Sequence, residues 1–175
     1  AWIAALCYGA FGYGYIIPAT FLPALAREVI ASPAVFGWIW PVFGAAAAIS
    51  TALAVRFFPS HSPRQLWAHG QWVLAVGVIA PVLVVNVYVL MFSALCVGGT
   101  FMVITMAGIQ EARLLGGAQG PRLIAAFTAA FALGQIIGPL VVNLFHGGLT
   151  WPSLLAACVL AASSAMLRLS TDDSG

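Results

Sequence analysis

Among the side chains able to hydrogen-bond, Tyr15, Thr100 and Gln135 stand deep inside long apolar runs. A phenol, a hydroxyl and a carboxamide can hold a neutral solute or a cavity water without any fixed charge. In hydrocarbon such groups are costly to leave unpartnered, so each is expected to face another helix or a water-filled path. A second set, Glu111, Arg113 and Arg122, brackets a glycine-rich hinge (Gly116, Gly117, Gly120, Pro121) and suits a structural or gating role at a membrane surface. Sets that would do covalent or metal chemistry are missing. There is no Gly-x-Ser-x-Gly, no His-Glu-x-x-His and no pair of mid-run aspartates, and His61, His69 and His146 lie at run ends or in loops. No enzyme, cofactor or metal is therefore expected. His61 reads as a solvated loop histidine, and His69 and Gln71 as interfacial. Cys7, Cys96 and Cys158 are odd in number and lie within apolar runs, which suits small buried hydrophobes better than disulfides.

The elements that must position these residues are membrane helices. Hydrophobic residues make up 63% of the 175 and charged residues only 6%, whereas a soluble domain carries roughly a quarter charged. The net charge of +2, carried by arginines that do not cluster, gives no footprint for a nucleic acid. Six spans are expected, at about 2–26, 35–55, 66–85, 87–112, 123–145 and 151–167, as one bundle over 1–170 with a short frayed tail at 171–175. Ser32-Pro33 has the form of a helix start, and His146-Gly147-Gly148 that of a turn. Arg56, Arg64, Arg113, Arg122 and Arg168 fall on one side of this topology and Arg27 alone on the other, so both termini are expected in the cytoplasm. Without an initial Met or a basic leader before the first run, Ala1 is expected to lie within a longer protein.

Packing can be read in part. Ala126, Ala130, Gly134 and Gly138 recur every four residues along the fifth span, giving a smooth strip that lets two backbones approach. Gly44, Ala48 and Ala52 make a similar strip on the second. These strips, each with one internal proline (Pro41, Pro139), hint at two related three-helix sets. Tyr8 suits an interfacial belt, Tyr15 a cavity. Arg113 and Arg122 are the candidate partners of Glu111. Together the features indicate a transporter or channel core.

The segments GYGYIIPATFLPALAR (12–27), FGWIWPVFGAAAAIS (36–50), GGTFMVITMAGIQEAR (98–113) and AAFALGQIIGPL (129–140) resemble the YbfB/YjiJ family of the major facilitator superfamily. The resemblance extends over nearly the whole chain and corresponds to the second six-helix half of the usual twelve. It implies an all-α membrane protein of the bacterial inner membrane that moves a small solute by alternating access. It also implies a first six-helix half as partner, with a second copy as homodimer the other way to supply a facing surface. The first, second, fourth and fifth helices of such a half approach the central cavity, which points to Tyr15, Thr100 and Gln135. A typical first half carries an Asp/Arg loop motif between its second and third helices. The matching loop here, 54–66, has Arg56 and Arg64 but no Asp, so the motif is incomplete. The competing class is a structural or assembly subunit in which these polar groups only bond neighbouring helices.

Overall fold

The computed structural model describes residues 1–29, 32, 37–145 and 148–172. The expected helix start at Ser32-Pro33 and the turn at His146-Gly147 lie outside them in whole or in part. The described residues form α1 (Trp2–Val29), α2 (Ile39–Phe57), α3 (Pro63–Leu83), α4 (Val87–Gly116), α5 (Gly120–Leu144) and α6 (Thr150–Asp172), with no strand among them. Five helical segments are long and apolar enough to cross a membrane: Trp2–Glu28, Trp40–Phe57, Pro63–Leu83, Val87–Leu144 and Thr150–Leu169. The fourth, at 58 residues, far exceeds the ~20 that a bilayer core requires. It contains both α4 and α5, separated by a single 3-10 turn at Gly117–Gln119. Gly117 has φ of 49°, a conformation that side-chain-bearing residues rarely adopt, and Pro121 then pre-sets the first turn of α5.

Local chemistry starts two of the helices sharply. The Ser62 hydroxyl accepts from the Gln65 N–H at 3.2 Å while the Gln65 side chain accepts from the Ser62 N–H at 3.1 Å, a reciprocal cap for α3. At the other end of that helix Asn86 caps α4 by accepting from the Val89 N–H at 2.9 Å.

The principal contacts repeat in pairs. Helix α1 packs on α5 and α6, α4 packs on α2 and α3, and α3 packs on α6. Exchanging α1 with α4, α2 with α5 and α3 with α6 maps these contacts onto themselves. Particular residues carry the relation. A Cβ on Gly12 of α1 would overlap the Phe131 carbonyl of α5, and a Cβ on Gly98 of α4 would overlap the Phe43 carbonyl of α2. Three residues after each glycine stand Tyr15 and Phe101. The internal relation therefore runs through glycine–phenylalanine contacts and not through the expected proline pair. Pro139 follows Phe131 by eight positions, whereas Pro41 precedes Phe43 by two.

The small-residue strip of α5 packs on α1. Gly134 faces the backbone of Gly9 and Tyr13, Gly138 faces Ile16, and Ala130 lies against Gly9. Ala126 stays exposed. It lines an open apolar groove of about 740 Å³ between α1, α5 and α6, together with Leu6, Leu133 and Leu155. The strip of α2 behaves differently: Gly44, Ala48 and Ala52 are exposed, and nothing lies within 4 Å of a Cβ built on Gly44. Only 6% of this helix's membrane-length segment is buried, against 44–56% for the other four. Helix α2 holds on to α4 and presents most of its surface outward.

Behind these helices lies the core. Tyr8 is buried, not interfacial: its ring packs 5.5 Å from Trp67 and 5.3 Å from Phe127. Gln71 is likewise fully buried, because its amide donates to the Cys7 carbonyl at 3.0 Å and so ties α3 to α1. Ser164 donates to the Ala68 carbonyl at 2.8 Å, joining α6 to α3. Ser93 donates to the Gly77 carbonyl at 2.6 Å, an acceptor that Pro81 leaves without its usual helical N–H. In an apolar surrounding such bonds satisfy groups that water cannot reach. The three cysteines are free thiols; Cys7 is buried, as expected, whereas Cys158 is exposed.

Candidate functional site

Helices α1, α2, α4 and α5 bring together a cluster of half-buried rings. Tyr15 stacks on Phe101 with centroids 4.4 Å apart and planes at 28°. Phe131 lies 6.2 Å from Tyr15 at 30°, and Phe43 6.5 Å from it. Phe11, fully buried, forms the floor at 5.0 Å from Phe131 and 5.9 Å from Phe101. The glycine contacts explain this arrangement. Close approach at Gly12 and Gly98 draws α5 against α1 and α2 against α4, so the ring three residues after each glycine meets its counterpart. Among the expected site residues only Tyr15 belongs to this cluster. Residue type does not single out the phenylalanines, because a Phe within an apolar run has no distinguishing chemistry. The one usable signal was the Gly-x-x-aromatic spacing shared by α1 and α4.

Gln135 follows Phe131 by one helical turn, so the two side chains share a face of α5. The carboxamide is half-buried and has no hydrogen-bond partner among the described residues. Its own backbone carbonyl is also deprived, since Pro139, four residues on, has no N–H to give it. One position thus presents a donor and two acceptors. Thr100 stands differently: it is buried, and its hydroxyl donates to the Cys96 carbonyl at 2.8 Å within α4. It supports the wall beside Phe101.

The charged groups gather at helix ends. Glu111 is buried near the end of α4 and accepts from the guanidinium of Arg64, Nε to Oε1 at 2.8 Å. Its partner is therefore Arg64, from the first turn of α3, and not Arg113 or Arg122. Both of those side chains are exposed, and Arg122 donates to Gln119 at 3.1 Å. Arg113 lies only two positions from Glu111 on the same helix and points elsewhere. Arg64 is separated by 47 residues but reaches Glu111 because α3 and α4 pack side by side. At the same end His61 is a half-buried residue of the loop between α2 and α3. Its ring lies 5.1 Å from Phe58 and 5.5 Å from His69, with Nδ1 buried. No group of three or more metal-ligating side chains exists among the described residues.

The family described as uncharacterised MFS-type transporter YbfB matches residues 1–168. The chain belongs to this family. It is thus a multi-pass membrane protein of the MFS transporter type, in keeping with its apolar helices. No match was found among curated proteins or among solved structures. For an MFS-type chain the mid-helix rings of Tyr15, Phe101 and Phe131, with Gln135 one turn from Phe131 on α5, are the candidate for contact with solute. The 740 Å³ groove lies on another side of α1 and α5, and its lining is mostly aliphatic.

Proposed function

We propose that this chain is one six-helix half of a secondary transporter, moving a small solute across the bacterial inner membrane by alternating access. Each of α1 to α6 crosses once, and α4 and α5 share the long fourth segment. The observation that carries the reading is the half-open cluster on α1, α2, α4 and α5, with an unpaired carboxamide beside it. A half so built needs a facing surface, which the bare α2 also calls for; a first six-helix half, or a second copy in the same orientation, would supply it. Arg64 and Glu111 act as a latch at the cytoplasmic end, holding α3 to α4.

Gln135→Leu tests the reading. In the full-length protein we expect solute uptake to fall at least about tenfold, while the amount of folded protein stays near wild type, because the amide bonds no neighbouring helix. Normal uptake by this variant would remove Gln135 from the solute path. Folding that collapses together with uptake would favour a structural subunit, in which the amide serves only assembly.

Topology has its own test. With five of six arginines on one side, we expect both termini and the loops at His61 and Gly117 in the cytoplasm. Reporter fusions after Ser62 and after Gly148 should report opposite compartments. The same compartment for both would contradict six crossings.

A further inference from the structure

Resting on that transport reading, we infer that the solute is an uncharged, flat-ringed molecule carrying a hydrogen-bond donor and acceptor on one edge. Three features of the cluster select it. First, Tyr15 and Phe101 lie almost parallel at 4.4 Å, with Phe131 within 30° of Tyr15. Half-exposed rings of common orientation accept a further ring by offset stacking, which contributes beyond simple burial. A compact cation gains less, since Tyr15 and Phe101 already turn a face toward each other.

Second, Gln135 combines an amide donor, an amide acceptor and a carbonyl that Pro139 leaves without its helical partner. An edge that offers one N–H and one C=O matches this set. A polyol would need many more polar partners than the cluster contains. Third, no charged residue among the described ones lies at this depth: Arg27, Arg56, Arg113, Arg122 and Arg168 stand at helix ends, and Glu111 is held by Arg64. A carboxylate or phosphate brought here would be a desolvated charge with no counter-ion from this chain, an arrangement that proteins avoid.

The test uses the full-length transporter in lipid nanodiscs, with Cys7, Cys96 and Cys158 replaced by Ala and one reporter introduced as Ser50→Cys. Ser50 is half-buried, lies two helical turns from Phe43 on the same face of α2 and stands beside Gly99 of α4. A membrane-impermeant cationic thiosulfonate reports whether water reaches it. The solute probe is 2-pyridone, flat and uncharged, with an N–H beside a C=O. Labelling should proceed, and 2-pyridone should slow it at least about threefold. Phe101→Leu or Gln135→Leu should each raise the 2-pyridone concentration needed for that protection by about tenfold, as expected for loss of a stacking plate or of paired hydrogen bonds. Phe101→Tyr should retain it, which separates a lost ring from a disturbed fold.

Labelling that 2-pyridone does not slow would overturn the solute class and leave the water path standing. So would equal or stronger protection by benzoate, tetramethylammonium or sorbitol. If Ser50→Cys is not labelled at all, no water path passes the cluster, and the transport reading falls with the inference.

Discussion

Replacing Gly134 with leucine should abolish folding of this protein. A Cβ at that position would overlap the Gly9 carbonyl and stand 2.7 Å from the Tyr13 nitrogen, and both are main-chain atoms of α1. A flexible side chain could swing aside; a helix backbone cannot, and α1 would have to move away from α5 along its length. In lipid that loss is not made good by hydrophobic burial elsewhere, because hydrocarbon chains are as apolar as the surfaces that separate. The hydrogen-bonded contacts of α1 with α3 and α6 would then be strained as well. Overpacking typically costs about 1–3 kcal/mol in a core that can adjust, and here the opposing atoms are fixed. We expect little or no monodisperse protein by size-exclusion chromatography after detergent extraction. The contrast is Gly44→Leu on α2, where nothing lies within 4 Å. That variant of this chain expressed alone should extract as well as wild type, and its effect should appear only when a facing half is present. Equal yields of the Gly134 variant and wild type would disprove the close packing of α1 on α5.

The second large effect concerns the Arg64–Glu111 pair. The two side chains are only 15% and 8% exposed, and the bond is 2.8 Å long. Removing either partner from a pair this buried leaves a charge with little water to solvate it, a loss of about 3–5 kcal/mol in comparable sites. Glu111→Leu and Arg64→Leu should each lower the unfolding midpoint strongly. The double variant should be more stable than either single one, since no lone charge remains. A thermodynamic cycle on the four proteins, followed by urea or SDS unfolding in a fixed lipid–detergent mixture, measures the coupling. Additive losses would mean that the two groups act independently. If the pair is also the latch that closes the cytoplasmic end, Glu111→Gln should raise the accessibility of that end to thiol reagents at a reporter cysteine. Unchanged accessibility would leave it a purely structural link.

The linear order of residues was enough to determine the helices. Apolar runs of this length admit one regular structure in hydrocarbon, because every backbone polar group must be satisfied within the segment. The glycine at 117 and the proline at 121 likewise identify the break between α4 and α5. The small residues of α5 were legible for the same kind of reason: spacing by four puts them on one helical face whatever the neighbours are. Which partner that face meets is not a local property, and the similar spacing on α2 leads to no contact within the chain. Tertiary structure alone decided that difference. It also decided the partners of single groups. Arg64 and Glu111 are 47 positions apart, and only the packing of α3 on α4 makes them neighbours, while Arg113 is near in sequence but far around the helix. The aromatic cluster is the clearest case. Phenylalanine in a membrane helix is equally at ease against lipid, against protein or beside a cavity, so residue type carries no information about which it faces. Phe43, Phe101 and Phe131 acquired a possible role only when the glycine contacts at Gly12 and Gly98 set four helices at the distance where their rings meet Tyr15.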